Sequence, residues 1–404
     1  MSKIRSESSV HFGDLVPAGA TRFALPCQAV QELRQWHHQG WEEIICTLET
    51  FPPPFPKYLI TFANMVLVTG ATGLVGSHLV LHLLENGDDV SAIYRSEKSI
   101  EKTRSIFQLY KKEELFERIH WIKADINDIP SLEIAFQDID YVYHCAAFIS
   151  FEPTDEEKIR KVNIEGTANI VNFCLAKNVK KLCHVSSIAA LGDLPARDIR
   201  KEEQKPLLIT EETDWNPEKP HSDYAISKYG AEMEIWRGQQ EGLEVVVVNP
   251  GVIFGIGDWN EGSGKIFTTV AKEYKYYTKG STGFVAVTDI VKIMCLLMKS
   301  EISGERYILV AENIIFQDLI NTIAESLEVK KPTVYAKKWM TEIAWRLDWF
   351  RSHLLFSKRK LSKAVARSLH TTDVYSNEKI KQKLGIEFTS VKTYIKEIAK
   401  YYKA

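Results

Sequence analysis

The sequence predicts an α/β fold in which helices cover both faces of a parallel sheet, with a smaller lobe towards the C-terminus. From residue 65 to about residue 192, apolar strand segments such as 90–94 and 120–124 alternate with helical stretches. The strands read as continuous apolar runs, which is typical of a sheet buried on both faces. The chain of 404 residues is long enough for one large unit and a lobe.

A glycine-rich loop follows the first strand directly. The strand at 65–68 runs into Thr-Gly-Ala-Thr-Gly-Leu-Val-Gly at 69–76, and an apolar helical stretch begins at once. Glycines let the backbone turn tightly and approach a pyrophosphate, while the N-terminus of the helix supplies free N–H groups and a favourable dipole. The spacing is G-x-x-G-x-x-G, and a purely structural turn is the alternative for such a pattern on its own.

A second motif, Tyr224-Ala-Ile-Ser-Lys228, lies 37 residues after Ser187. Helical spacing places Tyr224 and Lys228 one turn apart on the same face. A neighbouring ammonium favours the phenolate, so we expect Lys228 to lower the pKa of Tyr224. Ser187 could then hold the oxygen of a carbonyl or alcohol while Tyr224 transfers its proton. Alone, this spacing is common on helix surfaces.

Together these motifs resemble the extended short-chain dehydrogenases/reductases, in the NAD-dependent epimerase/dehydratase branch. The resemblance runs from about residue 65 to the C-terminus, and it implies a Rossmann doubly wound parallel sheet with a smaller C-terminal substrate lobe. Further segments occur in the order and at the spacing of that family: Asp125-Ile126-Asn-Asp, His144-Cys-Ala146-Ala147, Asn163, Ser186-Ser187, and Asn-Pro250-Gly251-Val252-Ile253.

The resemblance implies roles for these residues. Tyr224 is the general acid or base, Lys228 also binds the nicotinamide ribose, Ser187 holds the reacting oxygen, and Asn163 positions a water. Ser186 is the competing serine, but Ser187 has the family's spacing to Gly192. The implied cofactor-binding residues are Gly70, Thr72, Gly73, Leu74, Val75, Gly76, Arg95, Ser96, Asp125, Ile126, His144, Ala146, Ala147, Ser186, Tyr224, Lys228, Pro250, Gly251, Val252 and Ile253.

The end of the second strand decides between NADP and NAD. An NAD site presents an acid to the ribose 2′-hydroxyl about twenty residues beyond the glycine loop. Here Arg95 and Ser96 occupy that place, and an arginine and a hydroxyl suit a 2′-phosphate. NADP is therefore favoured over NAD, although an exposed arginine without a ligand role is the alternative.

The segment after the sixth strand bears on the reaction. Asn-Pro-Gly-Val-Ile-Phe-Gly at 249–255 is similar to dihydroflavonol-reductase-like and hydroxysteroid-dehydrogenase-like members of the superfamily. That similarity implies NADPH-dependent reduction of a ketone or aldehyde on a small molecule. The alternatives are a nucleotide-sugar epimerase or dehydratase that uses bound NAD, and a non-catalytic nucleotide-sensing protein.

Composition limits the partners. A net charge of −2 with 45% hydrophobic residues indicates a globular protein and argues against nucleic acid as the main partner. The sequence has neither a secretory signal nor an apolar run long enough for a membrane span, and its cysteines lack zinc spacing. We therefore expect a cytoplasmic protein with reduced thiols and no metal, and the resemblance implies a homodimer.

The two ends of the chain differ from its middle. Residues 1–64 lack strand–helix alternation, so we expect a non-conforming extension that is disordered or reflects a mis-assigned start. The predicted enzyme is 65–404, with the cofactor core mainly in 65–255 and the substrate lobe mainly in 256–404. Near the C-terminus, 337–360 mixes aromatic and basic residues, which suits either an amphipathic membrane-surface helix or a helix packed on the lobe. We expect packing, because Glu342 and Asp348 interrupt the basic residues.

Overall fold

The computed structural model describes residues 65–194, 208–355, 359 and 361–403. The predictions on residues 1–64 therefore lie outside the described residues. So does part of the long loop that precedes the Tyr224 helix.

Seven parallel strands form the main sheet, in the order β3-β2-β1-β4-β5-β6-β10. The chain reverses its direction of travel across the sheet between β1 and β4, which is where ligands bind in open α/β sheets. The strands are β1 Met65–Thr69, β2 Asp89–Tyr94, β3 His120–Lys123, β4 Tyr141–His144, β5 Lys181–Val185, β6 Glu244–Pro250 and β10 Glu305–Leu309.

Helices pack on both faces of this sheet. Alternate residues of β1 point to opposite faces: Val66 and Val68 join one apolar cluster, and Leu67 joins the other. The helices of the main unit are α1 Leu74–Glu85, α2 Glu97–Leu109, α3 Glu113–Phe116, α4 Ile129–Ala135, α5 Glu156–Arg160, α6 Gly166–Ala176 and α7 Asp223–Gln240. The predicted fold class, a doubly wound parallel sheet, is confirmed.

The lobe has its own sheet and its own apolar cluster. Its strands are β7 Val252–Phe254, β9 Ser281–Ala286 and β11 Glu312–Ile315, and β8 Tyr276–Tyr277 pairs separately with β12 Val334–Tyr335. The remaining helices are α8 Gly264–Ala271, α9 Val287–Met298, α10 Phe316–Leu327, α11 Lys338–Leu354, α12 Lys363–Ser368, α13 Glu378–Leu384 and α14 Val391–Lys403. Between β9 and β11 the chain returns to the main sheet as α9 and β10, so the two parts interleave.

Helix α11 corrects one expectation. Several of its large apolar side chains do not pack on the lobe: Leu347 is 64% exposed and Phe350 is 62% exposed. The two carboxylates on which that expectation rests are partly buried, with side chains 28% (Glu342) and 11% (Asp348) exposed. Within the described residues, no helix is long and apolar enough to cross a membrane.

Candidate active site

The glycine loop closes tightly on the neighbouring strand and on itself. Gly70 has φ +67°, and a Cβ built there would lie 2.6 Å from the backbone N of Ala146. A Cβ on Gly76 would lie 2.2 Å from the carbonyl oxygen of Gly70. Because neither position has room for a side chain, the first turn of α1 comes close to the loop and to β4.

The N-terminus of α1 is left open. Its N-cap residue is Gly73, which has no side chain to cap the helix. The N–H groups of Leu74, Val75 and Gly76 belong to the first helical turn, which has no carbonyl partner within the helix. Thr72 is partly exposed beside them. These donors and the helix dipole suit a pyrophosphate.

The end of β2 carries the residues expected to select the cofactor. Arg95 and Ser96 directly follow Tyr94, and both are exposed. The nearest acid along the chain, Glu97, accepts a hydrogen bond of 2.8 Å from the Tyr94 hydroxyl. Arg95 is therefore exposed, while the carboxylate of the neighbouring Glu97 is already hydrogen-bonded to Tyr94.

The segment after β3 forms a compact turn. Asp125 accepts a hydrogen bond of 2.9 Å from the backbone N–H of Asn127, and the carbonyl of Ile126 accepts one of 2.9 Å from Asn169. Asp125 is only partly buried, whereas Ile126 lies in the core. These bonds hold the turn at the carboxyl edge of the sheet, where an adenine is expected.

A chain of hydrogen bonds runs through buried His144. The Nδ1 atom lies 2.7 Å from the hydroxyl of Thr69, and Nε2 lies 3.0 Å from that of Thr167. Thr167 donates its own hydrogen to the carbonyl of Asn163, so it accepts one from Nε2–H, and Nδ1 must accept from Thr69. Ala146 N–H donates in turn to Thr69. Burial, followed by the Lys228 charge, lowers the pKa of His144 to about 3, so the imidazole is neutral.

Helix α7 presents the Tyr-Lys pair. It begins after Ser222, whose side chain accepts a hydrogen bond from the N–H of Ala225 and so satisfies one free donor of the first turn. Lys228 is buried, and its Nζ donates to the carbonyl of Val185 at the end of β5, at 2.8 Å. The lysine thereby joins α7 to the strand that Ser186 and Ser187 follow.

The two candidate serines differ in their surroundings. Ser187 is partly exposed, begins a short 3₁₀ turn, and accepts a hydrogen bond from Ala189 N–H. Its side chain also lies beside the phenol of Tyr224 and lowers the pKa of that tyrosine. Ser186 is buried on the other side, next to Glu232. Of the two, Ser187 is therefore the one in contact with Tyr224.

The protonation state of the pair differs from the expectation. Burial raises the pKa of Tyr224, and the hydrogen bond with Ser187 only partly opposes the rise. Burial also lowers the pKa of Lys228 to about 8, against the attraction of Glu232. The expected lowering of the Tyr224 pKa by Lys228 is therefore wrong for this structure, because burial has the largest effect on the phenol. The phenol is protonated and ready to donate.

Asn163 holds parts of the site together. It lies in a π-helical turn, Lys161–Glu165, between α5 and α6. Its amide nitrogen donates to the carbonyl of Phe148 at 3.0 Å and to the hydroxyl of Ser227 at 2.9 Å, and its oxygen accepts from Phe148 N–H at 2.7 Å. Both amide hydrogens are thus used to join the loop after β4 to α7.

A buried ionic network beneath the serines was missed from the sequence. Glu232, one turn beyond Lys228, has no exposed surface, and it accepts hydrogen bonds from Asn249 and from Arg306. Asn249 also donates to the carbonyl of Ser187 at 3.0 Å. Burial raises the pKa of Glu232, and neighbouring Ser186, Arg306 and Asn249 oppose the rise. The only sequence signal is the spacing of Glu232 four residues after Lys228, on the same helical face.

Aromatic rings surround the outer side of the site. The ring of Phe151 meets Tyr224 edge to face at a centroid distance of 5.6 Å, and Phe151 is largely exposed. On the preceding loop, Trp215 stacks between His221 and Tyr229, with centroid distances of 3.8 and 4.4 Å. The stack holds the loop to α7, and Phe151 offers an apolar surface beside the phenol.

The last predicted cofactor segment lies where the main sheet meets the lobe. Pro250 ends β6 and is buried, and Gly251 N–H donates to the carbonyl of Leu309 at 3.0 Å. Val252 and Ile253 begin β7, and Ala147 is exposed after β4. The predicted residues thus follow the ends of β1, β2, β3, β4, β5 and β6, along one edge of the sheet.

Comparisons with known proteins agree with this architecture. A family model described as NAD dependent epimerase/dehydratase family matches residues 66–310, which is more than half of the chain. The chain is 28% identical over 312 residues to anthocyanidin reductase of Arabidopsis thaliana, covering 70% of this chain and 90% of that protein. It is 27% identical over 263 residues to sterol demethylase protein B of Methylococcus capsulatus, covering 64% of this chain and 73% of that protein.

Solved structures show the same fold. The crystal structure of UDP-glucose 4-epimerase from Thermotoga maritima superposes with a TM-score of 0.63 at 21% identity, covering 84% of this chain and 98% of that one. The open N-terminus of α1, the close glycines and the residues along the strand ends fit a nicotinamide dinucleotide. The chain therefore belongs to the NAD dependent epimerase/dehydratase family of extended short-chain dehydrogenases/reductases, NAD(P)-binding oxidoreductases that act on carbonyl and alcohol groups.

Proposed function

We propose that this protein is an NADPH-dependent reductase of a ketone or aldehyde on a small, apolar molecule. The observation that carries the proposal is the contact between the Ser187 side chain and the protonated Tyr224 phenol, with Lys228 one helical turn away. A proton donor and a second hydroxyl that share one oxygen position are what carbonyl reduction requires of a protein.

The reaction divides between cofactor and protein. The nicotinamide supplies a hydride to the carbonyl carbon when it is bound. Ser187 donates a hydrogen bond to the carbonyl oxygen and fixes its place. As the carbon–oxygen double bond becomes an alcohol, Tyr224 gives its proton to that oxygen. Lys228 lies one helical turn from Tyr224, and Glu232 helps to keep its ammonium charged at neutral pH.

The choice of NADPH rests on Arg95 and Ser96. Both are exposed at the end of β2, where the ribose of a bound dinucleotide is expected. A guanidinium forms charge-assisted hydrogen bonds with a phosphate, and Glu97 beside it is occupied by Tyr94.

The apolar character of the substrate rests on Phe151 and on the names of relatives. Phe151 presents a largely exposed ring against Tyr224. Besides the anthocyanidin reductase, the chain is 26% identical over 356 residues to cinnamoyl-CoA reductase 1 of Petunia hybrida, which covers 83% of this chain. These names describe enzymes that act on aromatic compounds, and they favour a reductase of such molecules here.

The experiment follows NADPH consumption by the full chain with a panel of aldehydes, flavonoid-like ketones, ketosteroids and nucleotide sugars. We expect turnover with at least one apolar carbonyl compound. Tyr224→Phe should reduce it by about 10²–10⁴-fold while NADPH affinity changes little, because only the proton donor is lost. Ser187→Ala should reduce turnover more than Ser186→Ala.

Tyr229→Phe is the matched control, since Tyr229 is on the same helix and its ring stacking on Trp215 survives the change. Two outcomes would contradict the proposal and favour another reaction or another proton donor. NAD that remains bound through purification, with epimerisation of a nucleotide sugar, would identify an epimerase. Cofactor binding with unchanged turnover in Tyr224→Phe would show that the proton comes from another group.

A further inference from the structure

Helix α11 carries an apolar face that the described part of the chain leaves open. Five large apolar residues are each about half or more exposed: Trp339, Ile343, Leu347, Phe350 and Leu354. With 3.6 residues per turn, these positions fall within an arc of about 80°. The next residue, Leu355, is also largely exposed. An exposed stripe of this length on a folded protein marks an interaction surface.

The opposite side of the helix is anchored to the protein. Thr341 is buried, and its hydroxyl lies 2.8 Å from Nε2 of His370. The chain after α12 then joins the lobe, because Ser281 N–H in β9 donates to the carbonyl of Thr371 at 2.8 Å. The apolar face of α11 is therefore held by the substrate lobe.

The part of the sequence that contains α11 is strongly positive. Residues 337–367 contain nine Lys or Arg residues against two acidic residues, a net charge of +7 in a chain whose total is −2. Lys337 and Lys338 are exposed at the start of α11, and Arg346 borders the apolar arc. Lys363 and Arg367 are exposed on α12.

Each of the two acidic residues of the segment is paired with an arginine of the same helix. Glu342 accepts a hydrogen bond of 3.0 Å from the indole N–H of Trp345, and it pairs with Arg346 at 2.7 Å. Asp348 accepts from the backbone N–H of Leu361 at 2.9 Å and pairs with Arg351 at 2.8 Å. At 3.6 residues per turn, Asp348 lies about 140° from the centre of the apolar arc. The exposed side of α11 is thus apolar and basic.

We propose that α11 is a peripheral membrane-binding helix that lies in the plane of an anionic bilayer surface. Its apolar arc enters the boundary between headgroups and acyl chains, while the flanking lysines and arginines contact acidic headgroups. At 17 residues, with charges on its flanks, the helix lies on the bilayer and does not cross it. The proposal does not depend on the reaction assigned above.

Charge favours a bilayer over a second copy of the chain. A twofold dimer through α11 would place the same surface on both sides of the interface, and so would bring two segments of charge +7 together. An anionic surface instead attracts every exposed cation of the segment at once. Apolar and electrostatic contributions then act in the same direction.

The test is co-sedimentation of the full chain with vesicles of phosphatidylcholine alone or with about one third phosphatidylglycerol, a fraction at which polybasic segments bind. We expect binding to the anionic vesicles that falls with added salt. Leu347→Glu should reduce the partition coefficient of the protein onto anionic vesicles by about tenfold or more. Replacing Lys338 and Arg367 with Gln should reduce it by about fivefold for each charge removed. Ile134→Glu is the matched control, because Ile134 is a similarly exposed aliphatic residue, 61% against 64%, on the distant helix α4.

Thermal melting with NADPH shows for each variant that the protein is folded, independently of vesicle binding. The proposal is overturned by equal binding to neutral and anionic vesicles, by absence of binding, or by equal losses in Leu347→Glu and Ile134→Glu. It is also overturned if light scattering finds a dimer that Leu347→Glu converts to a monomer, because the face is then occupied by a second copy.

Discussion

Replacing Glu232 with glutamine tests whether the buried network beneath the serines holds the site together. Glu232 has no exposed surface, and both of its oxygens are used, one by Asn249 and the other by Arg306. A glutamine offers one acceptor oxygen, so its NH₂ group must face a donor. The guanidinium of Arg306 would also lose its carboxylate, keeping bonds to the carbonyl of Glu211.

The expected cost follows from these contacts. Breaking a buried ion pair by changing one partner costs about 3–5 kcal/mol, and glutamine keeps one of the two hydrogen bonds, so we expect about 3 kcal/mol. Glu234→Gln is the control on the same helix. Its ion pair with Arg237 is partly exposed at both ends, and such pairs contribute about 0.2–1 kcal/mol.

The assay is urea unfolding of the full chain followed by tryptophan fluorescence, together with Arg306→Met and the double variant. We expect the double variant to lose less than the sum of the single losses, with a coupling of about 1–3 kcal/mol. A second readout is the pH profile of turnover. Without the carboxylate the pKa of Lys228 should fall below about 8, so the loss of activity on raising the pH should begin at a lower pH. If Glu232→Gln costs no more than Glu234→Gln, the network is not a support of the site.

Three further predictions address the cofactor, the domain boundary and acid stability. NADPH should bind more tightly than NADH, by about tenfold or more, and Arg95→Asp should reverse the order, because a charge-assisted hydrogen bond is replaced by repulsion. The measurement is a titration of the unchanged protein with both cofactors. Tighter binding of NADH would refute the prediction. A chain that begins at Met65 should keep the melting temperature and its rise with NADPH, whereas an insoluble product would mean that residues 1–64 are required for folding. Burial lowers the pKa of His78 from 6.5 to about 4, so the unfolded chain takes up a proton before the folded one as the pH drops. The free energy of unfolding should therefore fall between these two pH values, by about 3 kcal/mol in total. His78→Gln should remove this part of the pH dependence in denaturation curves recorded at several pH values, and an unchanged pH dependence would contradict the assignment.

Most of the features that could be predicted depend on short-range spacing in the sequence. The strand, glycine loop and helix at 65–85 follow from short-range spacing, and the placement of Tyr224 and Lys228 on one helical face follows from a four-residue interval. The order of strands in the sheet depends on contacts between distant segments. The partner of Glu232, Arg306, is 74 residues away, and no periodicity in the sequence connects the two.

The expectation that α11 packs on the lobe with its apolar residues was wrong for a different reason. The composition of 337–360 is aromatic and basic, but composition alone does not place the acidic residues on the helical circumference. At about 100° per residue, Asp348 lies about 140° from the centre of the apolar arc and Glu342 lies about 100° from it. The error on the Tyr224 pKa arose because spacing shows which charge is near but does not show how deeply the pair is buried.

The hydrogen bonds through His144 run in one direction, from Ala146 N–H through Thr69 and the imidazole to Thr167 and the carbonyl of Asn163. Each hydroxyl in this chain both accepts and donates, so serine can replace either threonine, whereas valine removes two bonds at once. An asparagine amide has an acceptor and a donor on one planar group, as the neutral imidazole does, and an ionised aspartate has no donor. The strand that leads into the glycine loop and the helix after Asn163 are therefore joined by groups whose polarity restricts what can replace them more than their size does.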